Sequence, residues 1–200
     1  MAKIKLTKNE LKKQKDALKM YRRYLPTLML KKQQLQAEIR AVDARLGELE
    51  AERKRLRDSF SSWVAVFAEE GAFPPGLVRV KEIRRSRGNI AGVEIPVFLG
   101  SSLEAAEYDL YGTPLWVDKA VEKLSSLVSM DLEAEILREQ SRLLGEELRT
   151  TSQRVNLFEK VKIPEALQNI KRIRVYLGDQ QTAAVVRGKI AKAAMAREDA

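Results

Sequence analysis

The sequence predicts a mainly α protein, a long antiparallel two-helix coiled coil with a small inserted β-hairpin domain. Three observations predict it. An apolar stripe repeating about every 3.5 residues runs through the first third of the chain. A second such stripe fills the last third, and between them lies a stretch broken by glycine and proline whose apolar residues alternate.

The first stripe passes through Ile4, Thr7, Leu11, Gln14, Leu18, Tyr21, Leu25, Leu28, Lys32, Leu35, Ile39, Val42, Leu46, Leu49, Arg53, Leu56, Phe60, Trp63 and Phe67. Fifteen of these nineteen are apolar and the step never slips, so one narrow face is kept toward a partner helix. At about 1.5 Å per residue the segment would extend roughly 95 Å, more than a compact fold needs. Thr7 or Asn9 is expected to cap its start. Pro26 lacks an N–H and crowds the carbonyl of Arg22, but the stripe continues in register beyond it. A bend is expected there, not a break. Lys32 and Arg53, polar on the stripe, read as register markers or as stems that snorkel.

Gly71, Pro74, Pro75 and Gly76 end that helix. Leu77, Val78, Val80 and Ile83, interleaved with Arg79, Lys81 and Arg84, read as a strand with one wet face. Arg87-Gly88-Asn89 reads as the turn, with Ile90, Val93, Ile95, Val97 and Phe98 on the returning strand. Pro96 suits an edge position, and Gly92 suggests a bulge or a close backbone contact. Ser101-Ser102-Leu103-Glu104 fits a capping box opening a short helix to about Asp109.

Thr113 as N-cap and Pro114 at the first helical position open the second long helix. Its stripe runs through Met130, Ala134, Leu137, Ser141, Leu144, Leu148, Thr151, Val155 and Phe158. It then slips by one residue at Pro164 and resumes at Ile163, Ala166, Ile170, Ile173 and Leu177, with Ala184 beyond the polar step at Gln180. A slip at a proline predicts a second bend. Residues 183–196 are alanine-rich, helix-friendly and slender. The expected divisions are an N-terminal coiled-coil helix over 1–69, the hairpin insert with its short helix over 70–113, and a C-terminal coiled-coil helix over 114–200. Folding the second helix back on the first buries both stripes, sets the two termini at one end and puts the hairpin at the other.

Composition narrows the chemistry. The chain has no cysteine and no histidine, which removes thiolate chemistry, the commonest general base and the commonest metal ligand. No phosphate loop is present, because Gly188-Lys189 lacks both the first glycine and the hydroxyl residue of that motif. Gly88 and Gly92 make no dinucleotide fingerprint. Glu133, Glu135, Glu146 and Glu147 read as solvated helix faces, not as an acid–base pair. No catalytic residue, cofactor site or metal site is expected. No apolar run approaches the ~20 residues of a membrane span, and no signal peptide is read, so a soluble cytoplasmic protein is expected. The net charge of +9 is carried entirely by residues 1–35, where eleven Lys and Arg face Glu10 and Asp16 alone. A solvated helix face is the simplest reading of that end. Nucleic-acid binding ranks below it, since no stacking aromatics or groove-reading motif accompany the charge.

The run Thr150-Thr151-Ser152-Gln153-Arg154-Val155-Asn156-Leu157-Phe158-Glu159, followed by Ile163-Pro164, resembles a block of the D subunit of V/A-type rotary ATPases, R-V-N-A-L-E…I-P. Asn89-Ile90-Ala91-Gly92-Val93-Glu94-Ile95-Pro96 is similar to that family's N-V-M-G-V-x-V-P strand. The likeness also covers Thr7 through Leu11, Lys31-Lys32 through Leu35, and the pair Lys189 and Lys192, in the family's order. Departures are Gln153 in place of an arginine, Gln33-Gln34 in place of an acidic pair, Asp179-Gln180-Gln181-Thr182 in place of a charged stretch, and Pro26. They suggest a divergent bacterial branch.

The resemblance implies a non-catalytic rotor shaft whose terminal end enters a hexamer of catalytic and regulatory subunits. It implies, at the opposite end, the small F subunit of the stalk and an adaptor to the membrane rotor, in a complex peripheral to the inner membrane. Lys12, Lys13, Lys15 and Lys19 on the basic end, Arg79 and Arg84 on the hairpin, and Arg154 and Asn156 in the shared block are the candidate partner contacts, the last two reading equally as solvated or capping neighbours or as contacts to the ring or across the coil. Val155 between the last two reads as stripe packing. A homodimeric structural coiled-coil adaptor is the competing reading, and a basic nucleic-acid-binding coil the third.

Overall fold

The computed structural model describes residues 4–61, 78–105 and 116–198. The elements are α1 (Lys8–Ser61), β1 (Val78–Ile90), β2 (Val93–Ala105), α2 (Trp116–Asn156), a π-helical segment (Leu157–Lys162) and α3 (Ile163–Glu198). The chain is therefore mainly α, with an inserted hairpin, as its periodicity predicts. It divides into two compact units, one of Met1–Lys31 with Thr150–Ala200 and one of Lys32–Arg149. The helix ends expected near Gly71 and Thr113, the stripe positions Trp63 and Phe67, and the strand start at Leu77 lie outside the described residues.

Thr7, not Asn9, caps α1. Its Oγ1 accepts a hydrogen bond from the Glu10 N–H at 3.3 Å, and its carbonyl accepts from the Leu11 N–H. One otherwise unpaired donor of the first turn is thereby satisfied. The helix assignment then runs through Pro26 without interruption.

In the unit of Lys32–Arg149, α1 and α2 pack antiparallel. Asp43 meets Ser141, Arg53 meets Asp131, and Ser59 meets Lys123. Leu35, Val42 and Leu49 of the first stripe are buried, as are Ala134 and Leu144 of the second. Burying one leucine contributes about 1.5–3 kcal/mol. The stripe thus packs as its spacing dictates, within one chain. That leaves no stripe here for the parallel self-association a homodimeric adaptor needs.

The hairpin lies alongside these helices, not beyond their ends. Ile95 is buried against Leu35, Val42 and Leu144, and the turn residues Ile90, Ala91 and Val93 pack on the same cluster. Gln140, itself buried, donates from Nε2 to the Pro96 carbonyl, and Ser101 donates to Ser129 Oγ at 3.1 Å. The proline cannot donate to a strand on that side, and the helix supplies the partner its carbonyl needs.

Three local expectations are corrected. The turn is Ala91-Gly92, closed by the pair Ile90↔Val93, and not Arg87-Gly88-Asn89, which belongs to β1. Both turn residues have positive φ, 52° and 81°, the requirement of a type I′ hairpin turn. Asn89 Oδ1 accepts the Gly92 N–H at 3.0 Å and holds the turn. Gly92 is thus a turn residue and not a bulge. The glycine needed for close approach is Gly88, where an added Cβ would lie 2.9 Å from Val97 Cγ2. The short helix expected from Ser101 is contradicted as far as Ala105, because Ser101–Ala105 continue β2 and Leu103 pairs with Val80. A capping-box pattern has no force where cross-strand bonds already take the backbone donors. The remainder of that expected helix lies outside the described residues. The ladder carries two irregularities, at Lys81 on β1 and at Leu99 on β2.

In the unit of Met1–Lys31 with Thr150–Ala200 the helices are again antiparallel. Tyr21 packs on Phe158 with ring centroids 5.2 Å apart, while Ile4 shares a recess with Pro164, Gln168 and Arg172. Thr151, Val155, Ala166, Ile170 and Ile173 are its buried stripe. The one-residue slip between Phe158 and Ile163 is taken up by the π segment. There the Ile163 N–H donates to the Phe158 carbonyl five residues back. A π turn holds one residue more than an α turn, so Ala166 and Ile170 fall in line with Val155.

Candidate functional site

The main recesses among the described residues are open and lined largely by charged side chains of the helices and the hairpin. The one between hairpin and α2 is bordered by Arg85, Pro96, Glu135, Ile136, Glu139 and Arg142. Arg142 grips Glu139 with two bonds, Nε to Oε2 at 2.8 Å and Nη2 to Oε1 at 2.7 Å, and reaches Glu146 with Nη1 at 2.6 Å. Those hydrogen bonds hold the Glu139 carboxyl below its ordinary value and push the guanidinium above its own. Both charges are locked in their ionised forms. Such a triad orders a helix face.

Of the carboxylates read as solvated, Glu133 holds Arg45 at 3.2 Å across the two helices and Glu146 holds Arg142 at 2.6 Å. Glu50 holds Arg138 at 2.6 Å in the same way as Glu133. Arg53 sits on the apolar stripe and pairs with Asp131 at 3.0 Å. Among the described residues no group of three or more His, Cys, Asp or Glu side chains is placed to hold a metal ion. No described helix is long and apolar enough to cross a membrane.

Lys12, Lys13, Lys15 and Lys19 are all exposed on the first turns of α1. Arg79 and Arg84 are exposed on β1, with the Arg84 guanidinium lying over Gly100. Arg154 and Asn156 are exposed on either side of Val155, which is buried. The shared block is therefore split by the helix itself, with the valine inward and its polar neighbours outward. All eight residues are exposed, on three stretches of the chain.

What the sequence reading overlooked is apolar. In the unit of the two termini, Leu30 is 65% exposed, Ile190 65% and Met195 66%, and Met20, Tyr24, Val175, Val185 and Val186 are also exposed. A signal was available, since these are the apolar residues that fall off both stripes. They are spread along both helices of that unit, each an apolar side chain left in water.

The family model described as the D subunit of ATP synthase matches residues 10–193. A protein from Borreliella burgdorferi, named as the D subunit of V-type ATP synthase, is 52% identical over 199 residues, covering 100% of this chain and 98% of that one. Its namesake from Chlamydia muridarum is 38% identical over 196 residues, with 94% of each chain covered. The Chlamydia pneumoniae protein of the same name is 36% identical, covering 94% of this chain and 91% of its own. With such coverage at both ends, the chain belongs to the family of ATP synthase D subunits.

Proposed function

We propose that this chain is the central rotor stalk of a V/A-type ATPase or ATP synthase, carrying torque between the catalytic hexamer and the membrane rotor ring. The observation that carries the reading is the pairing of two long helices by stripes from one chain, with no enclosed site among the described residues, in a member of this family. Torque transmission needs an element that resists twisting and presents unlike faces to similar partners. A helix pair with an arginine–carboxylate ladder between Arg45, Arg53, Arg138 and their partners meets the first need. The basic face of Lys12, Lys13, Lys15 and Lys19 beside exposed apolar residues meets the second. Each orientation then favours one state of a neighbouring catalytic protein over another, which is how a non-catalytic chain governs chemistry elsewhere.

In this reading the chain itself is not an enzyme and holds no cofactor. Its partners are the catalytic and regulatory subunits of the hexamer, the small F subunit of the stalk and the adaptor to the membrane rotor. It works on the cytoplasmic side, peripheral to the inner membrane. Because the chain has no cysteine, a single Glu82→Cys substitution on the exposed hairpin provides a unique attachment point for a probe. With the hexamer fixed to a surface and ATP supplied, the probe should turn in one direction. ATP hydrolysis with a motionless probe refutes the proposal.

A further inference from the structure

Both helices of the unit of Met1–Lys31 with Thr150–Ala200 carry a backbone irregularity close to where Tyr21 meets Phe158. On α1, Pro26 has no N–H to offer the Arg22 carbonyl, so one helical bond is missing next to Tyr21. On the other helix the six residues Leu157–Lys162 form a π turn, and Pro164 withholds a further donor just beyond it. The rings of Tyr21 and Phe158, 5.2 Å apart and tilted by 46°, join the two defects. No residue of the π turn is buried, whereas Thr151 and Val155 before it and Ala166 and Ile170 after it are. Two imperfect stretches of backbone thus flank the Tyr21–Phe158 contact, and the π turn has no buried side chain to restrain it.

We propose that the level at which Tyr21 meets Phe158 is a compliant joint, where bending and twisting of this helix pair concentrate. Elements in series deform most where they are softest. α-Helical backbone held by a full bond ladder and a buried stripe is stiff, and a turn with longer, misaligned bonds and no buried side chain is not. The purpose of the joint rests on the stalk reading, in which an elastic section lets a stepping motor and a continuous load move out of phase. The joint itself is a property of this chain alone.

Hydrogen–deuterium exchange of the full chain tests it. Residues 157–163 should exchange about tenfold or more faster than residues 166–173, as expected for a local opening. Pro26→Ala restores the missing donor on α1. It should slow exchange in residues 22–29 and also, about threefold or more, in residues 157–163 on the other helix. Adding Tyr21→Leu to that variant should abolish the second effect while keeping the first, and Phe158→Leu serves in its place if that protein does not fold. Exchange in 157–163 no faster than in 166–173, or unmoved by Pro26→Ala, overturns the joint. Equal slowing over residues 35–49 also overturns it, since that would be general stabilisation. A chain that exchanges as expected but never turns with the hexamer refutes the stalk and leaves the joint standing.

Discussion

Arg53 and Asp131 form an ion pair of 3.0 Å between α1 and α2, and Arg53 occupies a position that the stripe otherwise gives to leucine. Only a quarter of the arginine side chain is exposed. Its stem therefore lies among apolar neighbours while its head reaches the carboxylate at the rim. A polar residue on a stripe lowers stability a little and fixes which residues face each other.

The first prediction separates those two effects. A double-mutant cycle with Arg53→Met and Asp131→Asn, read by urea unfolding, should give a coupling of about 0.5–1 kcal/mol. Arg53→Met alone should cost less than about 1 kcal/mol, because a flexible apolar chain of similar length suits the stripe. A coupling near zero would mean that the pair sets no register.

Leu35 is fully buried and packs with Val42, Ile95 and Leu144, whereas Leu30 is 65% exposed. Leu35→Ala should destabilise the isolated chain by about 2–5 kcal/mol. Leu30→Ala should change it by less than about 0.5 kcal/mol. Because Leu35 supports Ile95, the first substitution should also expose the hairpin to proteolysis near Ala91. A hairpin that stays protected would show that Gln140 and Ser129 suffice to hold it.

Gly92 has φ of 81° with nothing within 4 Å of an added Cβ, so replacement is penalised by backbone strain alone. Gly92→Ala should cost about 1–2 kcal/mol. Gly88→Ala meets the opposite condition, a steric clash with Val97 on an extended backbone, and Val97→Ala in the same protein should partly relieve it. Equal, non-rescuable losses at both sites would contradict this division.

Those two glycines show where the sequence was legible and where it was not. The stripes could be read because helix pairing repeats the same demand every turn, and Leu35, Val42, Leu49, Leu144, Val155 and Ile173 are buried as that demand requires. The hairpin could be read from alternation, but its turn was misplaced. Ala91 is an uncommon residue at positive φ, and the usual turn formers Gly88 and Asn89 stand just before it. Asn89 does serve the turn, through its side chain and not its backbone. The docking of Ile95 between the helices could not be read, because a two-helix stripe says nothing about which outer grooves accept a third element. The slip at Pro164 was visible as a break in spacing, and its cause, a π turn, needed hydrogen-bond geometry to identify. The candidate partner contacts were the least legible, since Lys12 or Arg154 would look the same on any solvated helix.

Arg142 and Glu139 give a pH test with a definite sign. The Glu139 carboxyl is lowered by its hydrogen bonds to Arg142, so in the unfolded chain it binds its proton at a higher pH than in the folded one. Its contribution is therefore present above the ordinary carboxylate range and fades as acid brings the solution down through the lowered value. Unfolding midpoints of the native chain and of Glu139→Gln should differ most near neutrality and converge in acid. Because both side chains face water, the difference should be small and should shrink in high salt. A gap that widens in acid would reverse the assignment.

Lys12, Lys13, Lys15 and Lys19 lie beyond the first turn of α1, out of reach of the helix dipole's end charge. Lys15 and Lys19 are one turn apart, a repulsive spacing, while Asp16 stands at attractive spacings from Lys12, Lys13 and Lys19. The cluster therefore contributes little to the helix that carries it. Replacing all four lysines by glutamine should change the stability of the isolated chain by less than about 0.5 kcal/mol. If the basic face seats the chain against acidic or polar groups of the hexamer, the same substitution should weaken assembly. Raising the salt should then weaken the native complex much more than the substituted one, because the lost attraction is screened. Affinity for the hexamer, measured at two salt concentrations for both chains, decides the matter. Unchanged assembly and unchanged coupled turnover would make these lysines a solvated face and nothing more.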